Sequence, residues 1–311
     1  MKTRTLNHRI RLASLALFAG TGLAAGSMAH AQDQGTVNLA YVEWSSEVAS
    51  TNVIAAVLEQ AGFEVELTSL SAAAMFQALS TGDADAIVAA WLPTTHAEYM
   101  ERVGDNTEDL GPNLDGTKLG LVVPEYTDVD SIADLNDNAD SFNGEIIGID
   151  PGAGLMALTE EVVDTYDLGL NLRSGSGATM TAALASAIQN EEDVVVTGWT
   201  PHWMFARFDL KYLEDPENVY GGAEQIHTVV RKGLAEEKPE VTAILDRFQW
   251  TLSDMQGLLD ANQENGDYEA NARAWVDAHP ELVATWLGQA DDKADGESES
   301  ESESESADQD D

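Results

Sequence analysis

DVVVTGWTPHWMF, residues 193–205, decides the fold. A β-branched run, Val194 to Val196, ends at Gly198 and hands Trp199 to a loop broken by Pro201. In open α/β sheets, ligands bind at the carboxyl ends of strands, so a large aromatic ring delivered there marks a site. The same device occurs in DAIVAAWLPTTH, residues 85–96, where Ile87 and Val88 lead to Trp91 and Pro93. Two strand-ending Trp-x-Pro turns in one chain indicate two similar lobes facing one ligand.

Working outward, each turn closes a repeat. VNLAYV, residues 37–42, reads as a strand running into Glu43-Trp44-Ser45-Ser46-Glu47. A helix is expected from about Ser50 to Gln60, a strand over Phe63 to Leu67, a helix capped by Ser71 and ended by Gly82, and the strand that delivers Trp91. Pro93 suits the first turn of a further helix carrying His96 and Tyr99. LGLVVP, residues 119–124, reads as a first crossing to a second lobe. There the order recurs: strand EIIGID (145–150), a tight Pro151-Gly152-Ala153-Gly154 loop, helix, short strand near Leu172, helix, and the strand ending at Trp199. IHTVVRKG, residues 226–233, reads as the return crossing, followed by helices to about Gln289. The expected fold is therefore α/β, two lobes joined by two hinge crossings that can close over a ligand. Residues 32–122 with 226–290 make the first lobe and 123–225 the second.

Both ends stand outside that body. Lys2, Arg4, Arg9 and Arg11 precede the apolar stretch Leu12 to Ala25, and Ala29-His30-Ala31 is an A-x-A cleavage pattern. Residues 1–31 read as a secretory signal peptide cut near Ala31/Gln32. Residues 291–311, GESESESESES and its neighbours, form an acidic Ser/Glu tail without apolar content, expected to be disordered. Cysteine is absent, which excludes disulfides, thiol catalysis and a lipidated N-terminal cysteine. The expected product is soluble in the periplasm.

The chain carries 56 acidic against 15 basic side chains, and the expected signal peptide holds four of the basic ones. So wide an acidic excess is a solvated surface that disfavours nucleic acid or anionic membrane as partner. Its self-repulsion is screened by salt over about 10 Å at 0.1 M, and a salt-loving source is the reading that follows.

Enzyme signatures are missing: no GxGxxG or GxxxxGK[ST] loop, no HExxH, no GxSxG elbow. The histidines are scattered, with His202, His227 and His279 lacking partners at metal-ligand spacing. No cofactor or metal is expected. The tryptophans are more informative. Trp250, Trp275 and Trp286 lie among apolar residues at helical spacings and read as core; Trp203 reads as packing. Trp44, Trp91 and Trp199 each follow a strand at its carboxyl end. Three indoles at one crevice suit a quaternary ammonium, which has no N–H to donate and is best desolvated by ring faces at roughly 0.5–2 kcal/mol each. The helix opening at Gly154-Leu155 offers free backbone N–H groups to a carboxylate. His96 is either a surface histidine or one further donor to that carboxylate.

WLPTTH, YVEWSSEVASTNVI, GIDPGAGLM and VVTGWTPHWMFARFDLKYL resemble the glycine betaine binding proteins of ABC importers, the OpuAC-like substrate-binding family, over about Val37 to Leu287. The resemblance implies a type II-like periplasmic-binding-protein fold of two α/β lobes, with a cage of Trp44, Trp91 and Trp199 around the trimethylammonium and the Gly154 and Leu155 amides and His96 on the carboxylate. It further implies a monomeric, non-enzymatic receptor that passes glycine betaine, or a related osmoprotectant, to a permease and its ATPase. Choline or carnitine remains the alternative ligand class, and a periplasmic enzyme acting on quaternary amines the alternative of a different kind. The missing cysteine departs from the many lipoprotein relatives, and the Ser-Glu tail lies outside the family pattern.

Overall fold

A computed structural model describes residues 35–289; the proposed signal peptide and acidic tail lie outside the described residues. The chain runs β1 (Thr36–Tyr41), α1 (Ser45–Gln60), β2 (Glu64–Ser69), α2 (Ala72–Thr81), β3 (Ala86–Leu92), α3 (Ala97–Val103) and β4 (Thr107–Pro124). It continues through β5 (Glu145–Ile147), α4 (Gly154–Thr165), β6 (Asn171–Arg173), α5 (Gly177–Asn190), β7 (Val196–Thr200), α6 (Met204–Arg207) and β8 (Leu210–Tyr212). The last part is β9 (Glu224–Arg231), α7 (Leu234–Glu237), α8 (Pro239–Arg247), α9 (Leu252–Asn265), α10 (Tyr268–Ala278) and α11 (Pro280–Trp286).

The strands follow the order β2-β1-β3-β9-β4-β7-β5-β6, with β8 added on β4. β1 pairs in parallel with β2 and β3, and β5 pairs in parallel with β6 and β7, each through helical crossovers. This is the repeated strand–helix–strand–helix–strand order that the two Trp-x-Pro turns announced. The α/β architecture of a periplasmic binding protein is what the chain adopts.

β4 joins the two halves. Thr107 to Thr117 pair antiparallel with β9, whereas Lys118 to Val122 pair antiparallel with β7. LGLVVP is thus the end of an 18-residue strand rather than a separate one. Its polar first half (TEDLGPNLDGT) hid that length, because register shifts against β9 break the period-two pattern. IHTVVRKG lies mostly within β9, sandwiched between β3 and β4.

α1 begins five residues before its expected start. Ser46, Glu47, Ser50 and Thr51 are buried together with the apolar residues after them, because α9 and α10 cover the side of α1 that the sheet does not. Enclosure on both sides removes the amphipathic signal by which a helix is read from sequence. Beneath these helices lies an aromatic core. Trp275 stacks on Trp286 at 5.9 Å and meets Trp250 edge-on at 5.6 Å, while Phe248 meets Trp286 edge-on at 4.9 Å.

One buried charge cluster ties β1, β3, β9 and α8 together. Asp85 accepts from the Asn38 N–H, from Arg231 Nε at 2.8 Å and from Lys238 Nζ at 2.7 Å. Burial alone would raise its carboxyl, but Lys238, the Asn38 amide and Arg231 together hold it below the ordinary value.

Candidate functional site: an indole-lined cavity

Trp91 and Trp199 are the next-to-last residues of β3 and β7. They sit inside the strands rather than in the loops beyond, and each strand turns through a cis X-Pro bond, Leu92–Pro93 and Thr200–Pro201. After β3 the chain bends for a full turn before α3, so Pro93 precedes that helix and His96 is its N-cap residue.

His96 is folded back onto its own strand. Its N–H donates to the Trp91 carbonyl at 2.9 Å, and its Nδ1 accepts from the Trp91 N–H at 3.0 Å. With Nδ1 accepting, the proton of the neutral ring lies on Nε2, leaving one N–H to donate. The ring is 1% exposed, and burial lowers its pKa to about 4, so it is neutral near pH 7. It is packed edge-on against Phe76 at 5.4 Å and lies parallel to Trp44 at 6.2 Å. The surface-histidine alternative is therefore excluded. Its counterpart after β7 is His202, whose Nδ1 accepts from the Met204 N–H and whose ring meets Trp199 edge-on at 4.5 Å. Burial lowers His202 to about 3.

Glu224, at the start of β9, holds the turn that carries His96. Its carboxylate accepts the Thr94 and Thr95 amides at 2.6 and 2.9 Å and the Thr95 hydroxyl as well. Facing this turn is the N-terminus of α4. Ala153 has no side-chain cap bond to offer. The Ala153 and Met156 amides are bonded to Asp150 and Ala153 carbonyls, but among the described residues no acceptor is found for the Gly154 and Leu155 N–H groups. A Cβ on Gly154 would overlap the Thr95 carbonyl oxygen, so glycine is what lets α4 approach so closely.

Trp44, Trp91, Trp199, His96, Gly154 and Leu155 all line one cavity of about 30 Å³. All six residues singled out from the sequence are thus brought together. Trp44 is half-buried, Trp91 and Trp199 buried. Hydrogen bonds cross the cavity mouth in both directions: Trp199 Nε1 donates to Ser46 Oγ at 3.2 Å, and Trp44 Nε1 to Asp150 Oδ2 at 3.1 Å. Tyr99 adds a third link, its hydroxyl donating to the Gly152 carbonyl at 2.6 Å. A wider cleft of about 610 Å³ shares Trp44 and Trp199 and is lined also by Trp203, Phe208 and Tyr268. It contains none of His96, Gly154 and Leu155, which line the inner cavity, and carries Arg207 as a cationic group of its own.

Sequence reasoning missed Ser46, Glu47, Thr95 and Glu224. Among so many carboxylates nothing distinguishes Glu47 and Glu224, and only their tertiary surroundings do. Glu47 is 3% exposed, lines the cavity, and has no side-chain or charged partner among the described residues, the Val42 backbone N–H being its one nearby donor.

The fold and this indole-lined cavity define the class of protein: a solute-binding protein of the periplasmic-binding-protein architecture. Residues 35–278 match the substrate-binding domain of ABC-type glycine betaine transport systems, and the chain belongs to that family. The glycine betaine/carnitine transport binding protein GbuC of Listeria monocytogenes is 44% identical over 164 residues, 52% of this chain and 54% of GbuC, so the match spans about half of that relative's length. Lactococcal OpuAC, solved closed with glycine betaine, is 44% identical with a TM-score of 0.78, covering 81% of this chain and 99% of OpuAC. ProX of Borrelia burgdorferi gives 38% and 0.79, covering 81% and 96%. A choline-binding protein solved with choline gives 30% and 0.77, covering 81% and 91%.

Proposed function

We propose that this chain is the extracytoplasmic receptor of an ABC importer and captures glycine betaine, or a close quaternary-ammonium relative, without chemical change. Trp44, Trp91 and Trp199 surround the methylated nitrogen; the Gly154 and Leu155 amides and the His96 Nε2–H hold the carboxylate. The observation that carries this reading is the convergence of three indoles and two acceptor-free helix amides on one cavity. The two ends of a betaine need opposite surroundings, π faces for a cation that cannot hydrogen-bond and fixed N–H donors for the anion.

The residues up to Thr117 together with those from Glu224 onward act as one lobe and the residues between as the other, hinged within β4, where its pairing passes from β9 to β7, and ahead of β9. The Trp199–Ser46 and Trp44–Asp150 bonds tie the two sides of the cavity together, so uptake involves parting of the lobes. The closed form alone satisfies both ends of the ligand, and binding shifts the population toward it. The permease then reads the closed outer surface, and its ATPase supplies the energy. The receptor is released as a soluble periplasmic monomer in a high-salt habitat, the acidic surface serving solubility there.

Calorimetric titration with glycine betaine, proline betaine, carnitine and choline tests the assignment. Glycine betaine is expected to bind more tightly than choline, which lacks the anion; the reverse order would remove the carboxylate from the α4 amides.

A further inference from the structure

The proposed cage accounts for the indoles, His96 and the α4 amides, but not for Glu47. This residue stands in the first turn of α1, three positions after Trp44. It is buried, it lines the same cavity as the three indoles, and among the described residues no side chain pairs with its carboxyl, whose one nearby donor is the Val42 backbone N–H. Buried charges in folded proteins are almost always paired, and one backbone N–H does not replace a counter-charge for a buried carboxylate. Such a group is retained where something else completes it.

We propose that Glu47 is a specificity-determining residue of the cage, the counter-charge that pairs with the ligand's ammonium and gives up its proton to solvent as the ligand enters. The inference rests on the quaternary-ammonium reading above and extends it to a charge balance.

The physical argument has two halves. Without a cation beside it, the Glu47 carboxyl is driven toward its neutral form: burial pushes it well above the usual carboxylate range, against a smaller lowering by the hydrogen bond from the Val42 backbone N–H. With a trimethylammonium enclosed in the same cavity, the opposite charge favours the ionised form. A quaternary nitrogen offers no proton to share, so the pair is purely Coulombic and the carboxyl proton must leave for bulk water. Binding therefore releases a proton, and affinity rises with pH until the carboxyl of the free protein is itself ionised.

The other titratable groups around the cavity act differently. His96, on the turn after β3, is neutral in the free protein, and a ligand carboxylate beside it would favour proton uptake, the opposite sign. Asp150, on the loop before α4, is occupied by the Trp44 indole. Glu43 is exposed before α1 and lines the outer cleft rather than the inner cavity. β4, β7 and α4 present Leu119, Trp199, Gly154 and Leu155, none of which titrates.

The experiment is calorimetry of the full chain with glycine betaine and with choline, each in two buffers of different ionisation heat, repeated with Glu47→Gln. The wild type is expected to release protons on binding either ligand. Glu47→Gln is expected to abolish the release and weaken choline binding by about tenfold, the cost of losing one partly desolvated counter-charge. Binding by the wild type with no proton release, or with uptake, overturns the proposal while leaving the cage intact, and this needs no variant to fold. Unchanged choline affinity and unchanged proton release in Glu47→Gln overturn it as well. No binding of either ligand by the wild type overturns the cage reading and this one together.

Discussion

The indole N–H of Trp199 donates to the Ser46 hydroxyl at 3.2 Å, joining residues 153 positions apart. One is the product of β7, the other of the first turn of α1. Trp44 makes the reciprocal bond to Asp150. Both indoles thus line the cavity with their polar N–H groups satisfied by residues distant in the chain. Ser46→Ala leaves the buried Trp199 N–H without an acceptor, a loss of about 1–3 kcal/mol in the closed form. Weaker glycine betaine binding by titration calorimetry, with the open form favoured in small-angle scattering, is the expected outcome.

Trp91→Ala and Trp199→Ala are each expected to weaken glycine betaine binding by about tenfold or more, since a desolvated cation–π contact is worth up to about 2 kcal/mol. Trp275 belongs to the stack with Trp286 and His279 instead. Trp275→Ala is expected to cost about 3–5 kcal/mol of folding stability with the affinity of the folded protein unchanged. Paired urea melts and titrations separate the two patterns, and a large affinity loss in Trp275→Ala would contradict the division.

Gly154→Ala places a methyl where the Thr95 carbonyl oxygen lies. Alanine has the higher helix propensity by about 1 kcal/mol, so the isolated effect on α4 is favourable, yet the helix can no longer meet the turn that bears His96. Ligand affinity should collapse with little loss of thermal stability. Retained affinity would show that the α4 amides are not part of the site.

His96 and His202 are neutral in the fold, with pKa values lowered from 6.5 to about 4 and about 3 by burial. Between those values and 6.5 the unfolded chain binds more protons, so stability is fully present above pH 6.5 and falls as the pH is lowered toward 4. His96 alone accounts for roughly 3 kcal/mol, since each tenfold change in proton affinity is worth about 1.4 kcal/mol. Glu47 has the opposite sign: its raised carboxyl contributes in the protonated form and that contribution fades as the pH rises through the folded value. Urea denaturation at successive pH values should show the acid limb, and His96→Gln should flatten it.

The formal net charge is −41. Carboxylates that repel in the compact state are screened within about 10 Å at 0.1 M salt and about 3 Å at 1 M. The melting temperature of the ligand-free chain is expected to climb with NaCl and then level off, as thermal scans across a salt series would show.

Much of this was legible in the residues alone, for definite reasons. A β-branched run has few conformations besides a strand, a proline two places after a tryptophan ends it, and a glycine pair before an apolar helix leaves amides free. Those are local constraints, and they located Trp91, Trp199 and Gly154 along the chain and fixed the α/β order. What required tertiary structure was everything set by enclosure. α1 lost its amphipathic signature because α9 and α10 cover its outer side, and the first half of β4 could not be read because its partner β9 comes more than a hundred residues later. Glu47 and Glu224 share a side chain with dozens of solvated carboxylates. One binds the amides of a turn and the other stands without a counter-charge beside three indoles only because the folded chain removes water from both, and a sequence carries no record of where water has gone.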